Sequence, residues 1–450
     1  MSVIAAQPSP VEQEIAELSE LAHDVLRRAR AAGASQAEVA ASIDNGLSVN
    51  VRLGEVETVE HNRDRGFGLT VYFGQRKGSA STADLKPESI EATLQQACAI
   101  ARYTEPDPAA GLADAALMAT EFPELDLWHP WALDVPAAIE LGQRIEAAGR
   151  GLAGIDNSEG ASVQTGQGVA VYANSHGFLG ASCGSRHSLS VALIARDANG
   201  MQRDYWWDSV RDADRFMPAE QLGRRAAERT LARLGARSLT TRQCPVLFAP
   251  EVARGLIGHL LSAVSGGALY RNASFLVGKQ GERILPEWFN IIERPRVPRG
   301  LGSASFDAEG VATRDAALIE QGVLARYILG SYSARKLGLA TTANAGGVHN
   351  LIVGHGEADF DAMLQQLGTG LLVTDVMGQG VNIITGDYSR GAAGFWVEQG
   401  AIAYPVEEIT IAGNLRDMFA GIRAVGADVD HRSHVLTGSI LLDRMMIAGE

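Results

Sequence analysis

Apolar and polar positions change period several times along this chain, and those changes outline its elements. From Val11 to Ala32, apolar residues recur at Ile15, Leu18, Leu21, Ala22, Val25 and Leu26, the spacing of an amphipathic helix that Gly33 ends. From Ala37 to Gly74 the period becomes two, so strands are expected, with Asn45-Gly46 as the hairpin turn between them. A helix is predicted over Pro87–Tyr103, followed by the Pro-rich, acidic connection "TEPDPAAGLADAALMATEFPELDLWHP". The order then recurs: a helix near Pro136–Gly149, alternating strands, and a helix near Ala219–Leu234. This suggests a duplicated helix-strands-helix unit, though no residue-level repeat accompanies it. After "ARSLTTRQ" the texture turns to glycine and short apolar runs, with helical patterns only after Pro250 and over Phe360–Leu367. The expected fold is α+β: a loose arm at 1–10, an N-terminal domain of helices and antiparallel strands at 11–236, and a mostly antiparallel β domain at 237–450.

Composition narrows the function. Hydrophobic residues make up 46% and charged residues 20%, an ordinary globular balance. A net charge of -14 without a Lys/Arg stripe disfavours nucleic acid as a partner. The three cysteines, Cys98, Cys183 and Cys244, have no metal-type spacing and suit a reducing compartment. No secretory signal pattern opens the sequence, and no apolar run approaches the ~18 residues of a membrane span. A cytoplasmic protein with no membrane partner is expected.

Most standard constellations fail on context. Gly180-Ala-Ser-Cys-Gly184 has the letters of a nucleophile elbow, but the following "SRHSLSVALIARD" alternates like a strand where an elbow needs a helix. No phosphate-binding G-x-x-x-x-G-K-[ST] loop occurs, and the glycine pairs at 166/168 and 378/380 lack the third glycine of a dinucleotide site. "DVDHRSH" offers Asp428, Asp430, His431 and His434 as ligand types but reads as a polar, solvated loop. His349 and His355 would share a strand face ~20 Å apart, too far for one ion.

The stretch "PEVARGLIGHLLSAVSGG" is more informative. At about 100° per residue, Val252, Ala253, Leu256, Ile257, Leu260, Leu261 and Val264 gather on one side of a helix. Gly255, Gly258, Ser262 and Ser265 fill the other, with Arg254 and His259 at the borders. Small residues opposite large apolar ones predict a helix buried between layers. A zinc-protease helix needs two converging imidazoles and a carboxylate to activate water. Gly255 and Ala263 stand four residues either side of His259, so the helix alone supplies neither. His259 reads as a packed or hydrogen-bonded imidazole.

The blocks "RLGEVETVEHNRDRGFGLTVYFGQRKGSASTADL", "NAGGVHN", "MGQGVNIITGDYSRGAAGFWVEQGAIAYPVEEITIAGNL" and "TGSILLDRMMIAG" resemble the TldD/PmbA metallopeptidase family, in its PmbA (TldE) branch, essentially end to end. The TldD branch carries H-E-x-x-x-H on a helix, with a later cysteine completing its zinc site. On this sequence the final histidine of that motif falls on His259, the first on Arg254 and the glutamate on Gly255; no cysteine follows Cys244. A fixed positive charge at a ligand position would oppose a dication. The resemblance therefore implies no catalytic residue and no zinc in this chain, with zinc in a TldD-like catalytic paralogue.

Together the two would cleave unfolded peptides, including precursors of peptide antibiotics; a homodimer is a candidate state of the isolated chain. An open strand edge could hold an extended peptide through backbone hydrogen bonds. His259, Asn344, His349, Asp387, Tyr388, Arg390 and Trp396 are candidates for the cleft or the subunit interface, although "GDYSRGAAGFW" has the chemistry of turns. Two alternatives stand beside this reading. One is an autonomous metallopeptidase drawing ligands from elsewhere, such as the 428–434 stretch; the other is a regulatory protein-binding module, in keeping with the family's older label as modulators of DNA gyrase.

Overall fold

Ser9 and Glu12 close a capping box at the start of α1 (Pro10–Ala31): Glu12 N–H donates to Ser9 Oγ, and Ser9 N–H to the Glu12 carboxylate. The structure, a computed structural model, describes residues 9–198 and 200–449, so the expected loose arm lies outside the described residues except for Ser9 and Pro10. After α1 come β1 (Gln36–Arg52), β2 (Glu55–Phe73), β3 (Arg76–Thr82) and α2 (Pro87–Tyr103). The same series follows as α3 (Val135–Arg150), β4 (Ile155–Asn174), β5 (Leu179–Asp197), β6 (Gly200–Val210) and α4 (Ala219–Ala232).

These strands form one six-stranded antiparallel sheet in the order β3-β2-β1-β4-β5-β6, a palindrome about the β1–β4 pair. The duplicated unit is thus visible in the pairing. Alternation along β1 sends Val39, Ala41 and Ile43 against α1 and α2, and Leu47, Val49 and Val51 against α3 and α4. All four helices cover one face, leaving the even-numbered positions of β1 on the other.

Asn45-Gly46 is not a turn. Both residues lie inside β1, paired with Arg63 and Asn62 on β2 and with Gln167 and Gly166 on β4. The β1–β2 hairpin turns instead at Leu53 and Gly54, whose φ of 54° and 82° put both in the left-handed region. A Cβ on Gly46 would meet Thr165 O at 3.1 Å, so glycine serves close strand approach there.

The second half begins with β7 (Arg242–Phe248), α5 (Pro250–Ala263) and α6 (Gly266–Tyr270). Then come β8 (Ile291–Glu293), β9 (Ala316–Glu320), β10 (Val323–Leu324), α7 (Ser331–Leu337), β11 (Leu351–Val353) and α8 (Phe360–Leu367). The chain closes with β12 (Gly370–Met377), β13 (Val381–Asn382), β14 (Asp387–Glu398), β15 (Ala401–Asn414), α9 (Leu415–Ala420), β16 (Ile422–Val425), β17 (Val435–Leu436) and β18 (Ile440–Ala448). A seven-stranded sheet and a five-stranded sheet result, antiparallel except for the β7–β12 and β11–β17 pairs. Among the described residues no helix is long and apolar enough to cross a membrane.

Candidate functional site

Strand β7 is central in its sheet, and its buried run Val246, Leu247 and Phe248 leads directly into α5. Pro250 sits in the first turn of α5, and Glu251 there accepts a hydrogen bond from Arg229 of α4 at 2.7 Å. Val252, Ala253, Leu256, Ile257, Leu260 and Ala263 anchor the helix in the core. The opposite side differs from the expectation of a helix buried between layers. A Cβ added to Gly255 or Gly258 would have nothing within 4 Å. Small residues here border open space instead of admitting a second backbone.

Near the start of α5, at Arg254, a groove opens onto the uncovered face of the six-stranded sheet. One cavity of about 850 Å³ is lined by β1, β2 and β4–β6 together with Arg254, Arg432 and His434. A second, of about 660 Å³, continues along the sheet past Gly168, Gly184 and Arg211. Its floor follows from register: Asn62, Gly46, Gly166 and Arg186 form one cross-strand row, and Asp64, Asp44, Gly168 and Gly184 the next. Gly46 and Gly166 occupy the middle of the first row, which makes a trough there; in the second, the Asp44 side chain lies over Gly168. Beyond it, Asp307 is buried and pushed up to about 6 by that burial. Its carboxylate accepts N–H groups of Glu309, Val311 and Ala345, tying a turn.

The structure separates the candidate residues into groups. His259 meets Tyr388 edge to face, and Arg390 lies on the same face of β14 as Tyr388, two residues on. Burial, and then the Arg390 charge, push the His259 pKa below its ordinary value. Burial pushes Tyr388 up to about 12.

Arg254 points to a different set: its guanidinium lies 5.2 Å from the Trp207 ring and 3.9 Å from Asp430. Arg432 straddles the edge of β6, 4.1 Å from the Trp206 ring and 3.9 Å from that of Trp207, and clasps Asp430 through Nε and Nη2. Burial works against the Asp430 charge, but Arg432 and then Arg254 hold its pKa below the carboxylate range. The 428–434 stretch is therefore not a solvated loop throughout: Asp430 is buried, and Asp428 accepts hydrogen bonds from Ser439 N–H and Oγ.

Asn344 and His349 belong to a buried network around Glu293, which sequence reasoning missed. The Glu293 carboxylate accepts from Asn344 Nδ2, from His349 N–H and ring Nδ1, and from Arg326. Burial opposes its charge, yet the His349 hydrogen bonds and Arg326 hold its pKa at about 2. Asp387 caps a turn through Thr385 and Asn414, and Trp396 is buried in the sheet with Arg242 over its ring.

Zinc, which the resemblance implies for the TldD branch, does not fit these residues. Around His259 stand a tyrosine and an arginine; around Arg254, a carboxylate already bound by Arg432. Among the described residues no three His, Cys, Asp or Glu side chains group so as to hold a metal ion.

Sequence profiles of the PmbA/TldA metallopeptidase family match in three parts: domain 1 over 37–101, the central domain over 128–234 and the C-terminal domain over 241–449. Metalloprotease PmbA of Escherichia coli O157:H7 is 49% identical, covering 100% of this chain and 98% of its own length. The PmbA homologue of Haemophilus influenzae is 48% identical, with 97% of each covered. Among solved structures, a candidate modulator of DNA gyrase from Bacteroides thetaiotaomicron superposes with a TM-score of 0.91 at 27% identity, covering 96% of this chain and 99% of that one. TldE of Thermococcus kodakarensis, at 21% identity and a TM-score of 0.81, covers 95% of this chain and 100% of its own and shares the fold.

Proposed function

This chain belongs to the PmbA/TldA metallopeptidase family, and from that premise we propose that it is the non-catalytic subunit of a peptidase whose zinc and general base reside in a TldD-like partner. The observation that carries this reading is the open side of α5. The helix leaves one side open as a metal helix must, but Arg254 and Gly255 stand where a ligand and a base would be needed, leaving His259 alone.

The groove suits an unfolded peptide. Strand β3 pairs with β2 only over Phe67–Phe73, so the stretch 55–66 of β2 has β1 on one side and an open edge on the other. Glu60, Asn62 and Asp64 of that stretch reach the cavity wall, so an extended strand added there would run along the groove rim. Main-chain pairing of this kind is independent of side chains, and folded proteins would be excluded if the paired subunits enclose the cleft.

The test is metal content and peptide cleavage by the purified chain, alone and mixed with a TldD-like paralogue. Cleavage and stoichiometric zinc only in the mixture are expected. Cleavage by the lone chain, abolished by His259→Ala, would overturn the proposal in favour of an autonomous peptidase. Co-purification with a topoisomerase and with no peptidase would favour the modulator role named for the Bacteroides protein.

A further inference from the structure

We propose that the groove holds a carboxylate-binding site, centred on Arg186 and completed by Arg254 and His434, that takes a carboxylate of an extended peptide lying across the sheet. The inference rests on the peptide-handling reading and adds the chemistry by which the peptide is held.

Arg186 projects from β5 into the groove and is exposed; its Nε donates to Ser209 Oγ at 3.0 Å. Among the described residues no carboxylate lies within ion-pair distance of it. Arg211, nearby, donates to the carbonyl oxygens of Ser185, Gly300 and Leu301 and likewise has no carboxylate partner. Burial, and then the Arg186 charge, push the Arg211 pKa down. Arg254 reaches its nearest carboxylate, Asp430, only at 3.9 Å, and Arg432 already holds that group by two hydrogen bonds. His434 lines the same cavity and lies within the fields of Arg186 and Arg254. A chain of net charge -14 thus sets Arg186 and Arg211 at its groove with no carboxylate partner among the described residues, and Arg254 beside them with only a carboxylate that it shares with Arg432. An entering anion would relieve that repulsion and supply acceptors for unused guanidinium donors.

The opposite wall identifies the anion. Asp44 on β1 and Glu60 and Asp64 on β2 line the far side of the cavity, with Asp44 two strand spacings from β5, about 10 Å. A polyanion such as nucleic acid would meet these carboxylates. A peptide carries its charge at one point, and the Gly46–Gly166 floor lets its backbone lie close to the sheet. The carboxylate could be the peptide's C-terminus or an Asp or Glu side chain.

The experiment is fluorescence anisotropy on the full chain with hexa-alanine labelled at its N-terminus, as the free acid, as the C-terminal amide, and as an amide with one internal Asp. The acid is expected to bind at least about tenfold more tightly than the amide. Arg186→Gln, checked for an unchanged melting temperature, should reduce the acid to the affinity of the amide. If the internal-Asp amide matches the acid, the site accepts side-chain carboxylates; if it matches the plain amide, it reads the C-terminus. Equal binding of acid and amide overturns the carboxylate site while leaving peptide capture intact. Binding of neither overturns both.

Discussion

His259 and Tyr388 stand edge to face, their ring centroids 5.7 Å apart and their planes at 72°. The contact fixes the imidazole against a buried phenol on one side, while Arg390 supplies a positive field. Burial, and then the Arg390 charge, favour the neutral ring at His259, a setting that packs the imidazole.

An NMR titration of the His259 ring proton should give a pKa below the ordinary value of about 6.5. Arg390→Gln should raise it only part of the way, because burial, the larger cause, remains. Since the folded-state value is the lower one, the unfolded chain binds the proton more readily. Stability from this residue is complete above about 6.5 and declines as pH falls below it. A pKa at or above the ordinary value would contradict the burial seen here.

Glu293→Gln should destabilise the second half of the chain by about 3 kcal/mol or more, because it leaves Arg326 buried without its carboxylate. Glu293 has a folded-state pKa of about 2, below its ordinary value of 4.5. Its contribution is therefore present above 4.5 and lost as pH falls toward 2. Urea unfolding of wild type and variant across that range should show the gap close; a constant gap would refute the assignment.

On α5, Gly255→Ala and Gly258→Ala should each stabilise the protein by up to about 1 kcal/mol, since alanine favours helix and the new methyl meets nothing within 4 Å. Leu260→Ala, on the fully buried side, should cost about 2–5 kcal/mol. Denaturant midpoints distinguish the two faces; a loss at Gly255 comparable to that at Leu260 would mean the small face is packed.

Arg432→Ala removes the partner of a buried carboxylate and the guanidinium that joins Trp206 to Trp207. A loss of about 3–5 kcal/mol is expected, with a change in tryptophan emission at native conditions. Because Arg432 Nη1 also donates to Trp207 O, the variant should loosen the contact between the two halves. Unchanged emission and stability would show that the clasp contributes nothing.

Much of this architecture was legible because helix signals are local. The spacing of Leu18, Leu21, Ala22 and Val25 and the run from Pro87 to Tyr103 act within a few turns, whereas the capping box at Ser9–Glu12, which starts α1 one residue before Val11, began in the stretch read as a loose arm. Asn45-Gly46 misled because turn preference is also local, whereas pairing with both β2 and β4 is not. Periodicity identified which side of α5 is small but not what lies opposite it. The groove escaped notice for the same reason: Asn62, Gly46, Gly166 and Arg186 form one row only after four strands pair. The resemblance pointed to α5, but Glu293 and Arg186 carry no motif of their own.

The open side of α5 also bears on how such a helix can change. Its anchoring residues and its open-side residues are separate sets, so substitutions at Gly255 and Gly258 leave the packing of Leu256, Ile257 and Leu260 untouched. Chemistry and fold are decoupled along a single helix. Positions 255 and 258 can therefore change their chemistry while the scaffold stays the same, because neither glycine is holding it together.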